Sequence, residues 1–178
     1  MENLLKISGI VKESIVDGPG IRYVVFTQGC PHHCEGCHNP HTHDFEGGKY
    51  IPIDQIVEDM KKNPLIKGIT ISGGEPFMQA KQVSKLLSKI DKDRYDVMTY
   101  TGFEYEYLLK NANDDNGYLE LLANTDILID GKFDISKRSI AIPFRGSTNQ
   151  RSIDVKKSLA TDKIYLYDFK ERKSVCTV

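Results

Sequence analysis

The feature that most constrains the fold is an alternation of strand-like and helix-like segments along the 178-residue chain. Residues rich in β-branched and aromatic side chains predict strands at 21–27, 68–72, 96–100, 126–129 and 164–169. Strands joined through helices pair in parallel, because each helix returns the chain to the same end of the sheet. A complete eight-unit barrel typically needs ~250 residues. We therefore expect one α/β domain over residues 1–178, built as a partial (βα) barrel with parallel strands.

The predicted helices lie between these strands. Apolar residues recur at helical spacing over 54–62, 80–91, 104–110 and 118–124. The polar stretch 111–117 (NANDDNG) separates the last two and is typical of a loop.

A polar or glycine-rich cluster follows each of the first four predicted strands. These clusters begin at Cys30, Gly73, Thr101 and Asp130. In parallel sheets of this kind, ligands bind beyond the carboxyl ends of the strands. All four clusters should therefore meet on one rim, which is the candidate site.

The first cluster contains three cysteines in a C-x3-C-x2-C pattern, at Cys30, Cys34 and Cys37. Ordinary [4Fe–4S] clusters are held by four thiolates. Three thiolates would leave one iron without a protein ligand, and an open metal position is typical of catalytic sites. The pattern therefore predicts a [4Fe–4S] cluster with one open iron.

Three other interpretations of these cysteines stay open at this point. All five histidines are at positions 32–43, and one of them could complete a structural zinc site. The residues Cys34-Glu-Gly-Cys37-His38 also match a C-x-x-C-H haem attachment pattern, although Cys30 would then have no role. A simple electron-transfer ferredoxin is the third, and it should have four clustered cysteines. The remaining cysteine, Cys176, is expected to be an incidental thiol, and a role as fourth ligand would require the C-terminal tail to fold back.

The overall composition excludes several classes of partner. The 24 basic and 25 acidic residues give a net charge of −1, which gives no support for binding nucleic acid or an anionic membrane. No long apolar run or signal peptide is evident, so we expect a cytoplasmic protein.

The cysteine motif followed by Gly73-Gly74-Glu75 resembles the paired signature of radical S-adenosylmethionine (SAM) enzymes. The residues DGPGIR (17–22) and CHNP (37–40) are similar to the glycyl-radical-enzyme activases within that superfamily. Three further segments, TGFEYEYL, ILIDGKF and FRGSTNQR (144–151), resemble the branch that activates anaerobic (class III) ribonucleotide reductases.

This resemblance implies a cofactor, a reaction and a partner. SAM would chelate the open iron of the cluster bound by Cys30, Cys34 and Cys37, and one electron from the cluster would cleave it. The resulting radical would abstract a hydrogen atom from a glycine of the reductase catalytic subunit. A low-potential electron donor is also implied. An activase of another glycyl-radical enzyme, of the pyruvate formate-lyase type, is the runner-up.

The resemblance also implies which residues contact the cofactor. These positions are Gly36, His38, Gly73, Gly74, Glu75, Asp130 and Lys132. The glycines would allow close backbone approach, and Glu75 would pair with the ammonium group of SAM. Arg145 would contact either SAM or the glycine loop of the partner.

Overall fold

The computed structural model describes residues 3–170, and Cys176 lies outside the described residues. Within this range one sheet contains seven strands, and their bounds follow. They are β1 (Leu4–Ser14), β2 (Arg22–Thr27), β3 (Lys49–Pro52), β4 (Gly68–Gly73), β5 (Asp96–Tyr100), β6 (Ile127–Asp130) and β7 (Arg151–Asp154). Their order across the sheet is β3-β1-β2-β4-β5-β6-β7.

Five α-helices accompany the sheet over residues 3–170. They are α1 (Ile53–Lys61), α2 (Ala80–Ser88), α3 (Tyr105–Lys110), α4 (Tyr118–Ala123) and α5 (Val155–Thr161). The first four confirm the predicted helices, whereas α5 was not predicted. Its start is stabilised by Asp154, whose side chain accepts a hydrogen bond from the backbone N–H of Lys157 at 3.0 Å. In this part of the chain, no helix is both long and apolar enough to cross a membrane.

The four central strands are parallel, as the alternation predicts. Strand β2 pairs with β4, β4 with β5, and β5 with β6. Thr27 at the end of β2 stands beside Gly73 at the end of β4. The carboxyl ends of these strands therefore meet at one edge of the sheet, where the candidate site was expected.

The outer strands differ from the prediction because they are antiparallel. Strand β1 pairs antiparallel with β2 and β3, and β7 pairs antiparallel with β6. In the described residues the strand order ends at β3 on one side and β7 on the other. The fold is thus a mixed α/β sheet with a parallel centre. Strands β3 and β7 have only four residues each, too few for a clear apolar alternation.

The strand predicted at 164–169 is wrong as a regular element. Only Leu166 forms a bridge, to Ile153 of β7. Two further backbone hydrogen bonds, Asp154 N–H to Tyr165 O and Tyr167 N–H to Ser152 O, hold the segment beside the sheet. Leu166 is 68% exposed, so the apolar side chains that suggested a strand are not all buried.

The side chains of the central strands alternate between two different faces. Tyr23, Val25, Ile69 and Ile71 point into the main core, which the helices cover. The opposite face carries a second, smaller apolar cluster, which leaves room for a cavity. That cluster is formed by Met98, Ile127 and Ile129 with Tyr100, Phe144, Tyr167 and Phe169 packed against them.

Candidate active site

A cavity of about 750 Å³ opens beyond the carboxyl ends of the parallel strands. Its wall contains residues from all four clusters that the sequence predicted to meet. Among the lining residues are Cys30, Cys34, Cys37, His38, Gly73, Gly74, Thr101, Gly102, Gly131 and Arg145. The predicted convergence on one rim is therefore present in the folded chain.

The cysteine loop leaves the sheet directly after β2 and is tied back on itself. The backbone N–H groups of Gly29 and Cys30 donate to the carbonyls of Thr42 and His43 at 2.8 and 3.2 Å. Within the loop, the backbone N–H of Cys37 donates to the carbonyl of Cys34 at 3.2 Å. These bonds fix both ends of the loop, so the three thiols face the cavity from a defined segment.

The three thiols are free and partly removed from solvent. Cys30 is 7% exposed, and Cys34 and Cys37 are half-buried. Burial raises the pKa of the Cys30 thiol, and the backbone N–H of His32 offsets this only in part. Burial also raises the pKa of the Cys34 thiol, against the backbone N–H of Phe133 and the nearby charge of Lys132. Binding of iron at these thiols therefore has to displace protons.

The residues present fit an iron–sulfur cluster. Across residues 3–170, no three His, Cys, Asp or Glu side chains are arranged to hold a single metal ion. A four-iron cluster is bound differently, since each thiolate takes its own iron and the sulfurs need not converge on one point. Two buried nitrogens at the cavity, His43 Nε2 and Arg145 Nε, also lack a hydrogen-bond partner in the described part of the chain. The three thiols at the cavity are the donors that an iron–sulfur cluster requires.

The double glycine at the end of β4 allows close contact with the cysteine loop. Gly73 has φ +95°, and a Cβ there would stand 2.7 Å from the Cα of Phe26. A Cβ on Gly74 would overlap the carbonyl oxygen of Gly29. Any larger residue would push the end of β4 away from the loop that carries the thiols.

Glu75 is buried and holds several parts of the site together. It is 0% exposed, and its carboxylate accepts hydrogen bonds from four donors in the described residues. They are His32 Nε2 (2.6 Å), Gly102 N (2.8 Å), Thr101 Oγ1 (2.9 Å) and Phe77 N (3.0 Å). A carboxylate offers about four acceptor positions. The structure therefore places Glu75 beside the cavity, with its acceptor positions directed at protein donors.

Asp130 and Lys132 lie near the cavity but do not line it. The Asp130 side chain is 1% exposed and turns away from the cavity, where it accepts from Tyr105 N at 2.9 Å and pairs with Arg151. Arg151 also binds Glu106 through both terminal nitrogens. Lys132 is exposed, close enough to Cys34 to act on its thiol.

Of the two remaining predicted positions, His38 lines the cavity and Gly36 does not. His38 lines the cavity, and its ring is 5.0 Å from that of Phe133. Gly36 stands just outside with φ +70°, and a Cβ there would be 2.7 Å from Ile135 Cδ1. The structure thus brings together the thiols, His38 and the double glycine, and sets the remaining positions behind them.

The FRGSTNQR segment is held in an unusual backbone conformation at the cavity. Phe144 has φ +56°, and its carbonyl accepts from the Tyr100 hydroxyl at 2.7 Å. Burial raises the pKa of Tyr100, so this hydroxyl keeps its proton and donates. Arg145 lines the cavity, and its Nη1 donates to the carbonyl of Gln150 at 2.8 Å.

Several residues at the site were not singled out from the sequence. Asp17, Tyr100 and Gln150 line the cavity, and His32 binds Glu75. Asp17 and Gln150 lie inside the quoted motifs DGPGIR and FRGSTNQR, so those motifs contained the signal. Tyr100 was not singled out, and His32 was considered only as one of five histidines that could complete a zinc site, because only the folded chain shows that Tyr100 reaches Phe144 and His32 reaches Glu75.

Comparison with known proteins places this site in a family. A family described as a 4Fe-4S single cluster domain matches residues 16–153. The anaerobic ribonucleoside-triphosphate reductase-activating protein of Enterobacteria phage T4 is 34% identical over 143 residues, covering 76% of this chain and 85% of that protein. The pyruvate formate-lyase-activating enzyme of Clostridium pasteurianum is 34% identical over 132 residues, covering 64% of this chain and 55% of that enzyme.

Among solved structures, QueE from Escherichia coli has a TM-score of 0.42 at 15% identity, over 56% of this chain and 52% of its own. The sequence relatives confirm the resemblance inferred from the motifs. The chain belongs to the 4Fe-4S single cluster domain family and, within it, to the anaerobic ribonucleoside-triphosphate reductase-activating proteins.

Proposed function

We propose that this protein activates an anaerobic ribonucleoside-triphosphate reductase by generating a glycyl radical on its catalytic subunit. One observation carries the proposal. Three thiols of a single loop face one cavity at the carboxyl ends of the parallel strands, in a chain whose relatives carry that activity in their name. The enzyme is thus a radical SAM activase with two cofactors, a [4Fe–4S] cluster and SAM.

Cys30, Cys34 and Cys37 are the proposed cluster ligands. They supply three thiolates for four irons, so one iron stays open for the amino and carboxylate groups of SAM. When bound, the cluster would supply the one electron needed for reductive cleavage of SAM, the chemistry on which hydrogen abstraction from the glycine of the reductase depends.

The remaining residues bind and orient the ligand. His38 and the backbone of Gly73 and Gly74 line the cavity and are the proposed direct contacts. The carboxylate of Glu75 is fully used by protein donors, so we propose that it serves SAM indirectly, by holding the double glycine in place. Arg145 lines the cavity, and its guanidinium would donate to an oxygen of the bound ligand.

Gly36, Asp130 and Lys132 form a second set behind these contacts. Gly36 permits the turn before Cys37, and Asp130 fixes the end of β6 through Arg151. Lys132 brings a positive charge near Cys34, which favours its thiolate form. Gly131, which lies between Asp130 and Lys132, lines the cavity. We propose that Asp130 and Lys132 shape the SAM site by positioning this glycine, and that Gly36 does so by positioning Cys37.

Aromatic side chains exclude water from the chemistry. Phe26, Phe133 and Phe144 line the cavity beside the thiols. Water exclusion protects a reactive fragment from side reactions before it meets its target. Over residues 3–170, the α-helices pack against the other face of the sheet. This arrangement supports a partial (βα) barrel whose open interior receives the ligands.

The proposed partners follow from the same reaction. They are the reductase catalytic subunit and a low-potential electron donor. The net charge of −1 gives no reason to add nucleic acid or a membrane surface. A pyruvate formate-lyase type of activase remains the second candidate, because a relative of that name is 34% identical. The chain spans only 55% of that enzyme but 85% of the phage T4 protein, which favours the reductase.

Electron paramagnetic resonance tests the proposal directly. Protein reconstituted anaerobically is mixed with SAM, a reductant and the anaerobic reductase, and the spectrum is read for a glycine-centred doublet. We expect the doublet with the reductase and none when pyruvate formate-lyase replaces it. A doublet with pyruvate formate-lyase alone would establish the second candidate. A colourless protein that holds one zinc would exclude both.

A further inference from the structure

We propose that His32 is a positioning residue that fixes the cysteine loop through its hydrogen bond to buried Glu75. The inference rests on the proposed function, since it takes Cys30, Cys34 and Cys37 as the cluster ligands. It goes beyond that function by assigning a role to a loop residue that binds neither iron nor substrate.

The His32 side chain packs against residues that follow the ends of β4 and β5. Its side chain is 6% exposed, and Nε2 donates to Glu75 Oε2 at 2.6 Å. The ring packs edge-on against Phe103 with centroids 4.5 Å apart. A side chain at position 102 would overlap the His32 ring, so the ring can pack here because Gly102 has no Cβ. These contacts leave the ring little freedom to turn.

The Glu75 carboxylate, which accepts the hydrogen bond from His32, is also held by three other donors. Phe77 N and Thr101 Oγ1 donate to one carboxylate oxygen of Glu75, and Gly102 N donates to the other. These donors come from the segments that follow β4 and β5. Glu75 is therefore oriented by the sheet, and His32 joins the loop to that fixed point.

The bond to Glu75 acts at the middle of the loop, where the ring of His33 also packs edge-on against His43 with centroids 5.0 Å apart. The backbone bonds of Gly29 and Cys30 secure the start of the loop, and the Cys37–Cys34 bond closes its end. His32 is between Cys30 and Cys34, so its anchor sets how these two thiols stand relative to each other. Groups that orient metal ligands in this way typically change metal affinity by about 10- to 100-fold.

The same carboxylate also supports the proposed SAM contacts. Glu75 follows Gly74 directly, and its backbone N–H donates to the carbonyl of Gly29 at 2.8 Å. Because this backbone bond joins the segment to the start of the cysteine loop, a loop displaced by loss of the His32–Glu75 bond should also shift the segment that receives SAM.

Three substitutions separate the hydrogen bond from the packing. His32→Phe keeps a ring beside Phe103 but removes the donor. His32→Gln replaces the ring with an amide whose N–H group can reach the same acceptor. His41→Gln is the matched control, because His41 is an exposed histidine on the same loop. Each variant is prepared in the full chain, both without the cluster and after anaerobic reconstitution.

The first readout needs no cluster. In the iron-free protein, backbone amide exchange over residues 32–37 should rise about 10- to 100-fold in His32→Phe, which is the loss expected for a hydrogen bond to a charged group. Exchange in α2 and in the buried part of β4, Ile69–Ile71, should stay unchanged, which shows that the fold is intact. His32→Gln should recover most of the protection, and His41→Gln should match the wild type.

The second readout uses the reconstituted protein. In His32→Phe the cluster should be lost to a chelator about 10- to 100-fold faster, its midpoint potential should shift, and SAM should bind more weakly. His32→Gln should lie near the wild type. Equal loop exchange and equal potential in His32→Phe and His41→Gln would overturn the positioning role while leaving the proposed function intact. Failure of the wild type to hold any cluster would instead overturn the proposed function and, with it, this role.

Discussion

The two faces of the central sheet come from the same strands but differ in almost every physical property. On the helix-covered face, Ile69, Ile71 and Leu86 are fully buried in one continuous core. On the other face, Phe26, Ser72 and Tyr100 line an open cavity. Strained backbone and an unpaired buried nitrogen, at Phe144 and Arg145, also occur on the cavity side.

The residues that stabilise the fold and the residues that line the candidate site lie on opposite faces of the same strands. Successive side chains of a strand point to opposite faces, so each central strand contributes to both. The packed face gains free energy from burial of apolar surface. The cavity face keeps polar atoms and free thiols available, which weakens packing there. Substitutions on the two faces should therefore produce different kinds of loss.

The largest effect is expected from a thiol on the cavity face. Cys34→Ala should abolish both the cluster and SAM cleavage, because the loop then offers only two thiolates. Iron and sulfide analysis should fall from about four of each per chain, while far-ultraviolet circular dichroism stays unchanged. Cys176→Ala is the matched cysteine control and should keep its iron. A Cys34→Ala protein that still cleaves SAM would refute the ligand assignment.

On the packed face, Leu86→Ala should destabilise the fold without affecting iron binding. The lost contacts and the remaining cavity cost about 2–5 kcal/mol in free energy of unfolding. Urea denaturation of the iron-free protein measures this loss, with exposed Lys61→Ala in α1 as the control. Iron per folded chain should equal that of the wild type. A change in iron content together with normal stability would show that the two faces are not separable.

Gly74→Ala tests the boundary between the faces. Its Cβ would overlap the Gly29 carbonyl, so the end of β4 has to move from the cysteine loop. Overpacking of this kind costs about 1–3 kcal/mol, and SAM affinity measured by calorimetry should fall as well. Gly9→Ala is the matched control, since a Cβ at Gly9 meets nothing within 4 Å. Equal SAM affinity in both variants would remove Gly74 from the site.

The smallest effect is expected from Asp130→Asn, which probes a residue at the rim that faces the helices. The substitution weakens the pair with Arg151, whose side chain is 32% exposed and keeps Glu106 as a partner. We therefore expect a loss of only about 1–2 kcal/mol in free energy of unfolding. SAM affinity should change little. A large loss of SAM affinity with unchanged stability would show that Asp130 contacts the cofactor directly.

Much of the candidate site could be predicted from the sequence because its signals are local. The cysteines follow β2 and the glycines end β4, and parallel pairing then brings both to one rim. The antiparallel strands β1, β3 and β7 could not be predicted in the same way. Their pairing depends on neighbours distant in sequence. The 164–169 segment likewise shows that a strand-like composition does not by itself produce a strand.

By itself, the sequence determined the parallel centre of the sheet, the cysteine motif and the family, because each depends on residue type and spacing along the chain. Only the tertiary structure decided the direction of each side chain. It turned Asp130 toward Arg151, filled the acceptors of Glu75 with protein donors and brought His32 to that carboxylate. The physical reason is that hydrogen bonding of buried polar groups depends on which atoms the fold brings within reach, and spacing along the chain does not specify this.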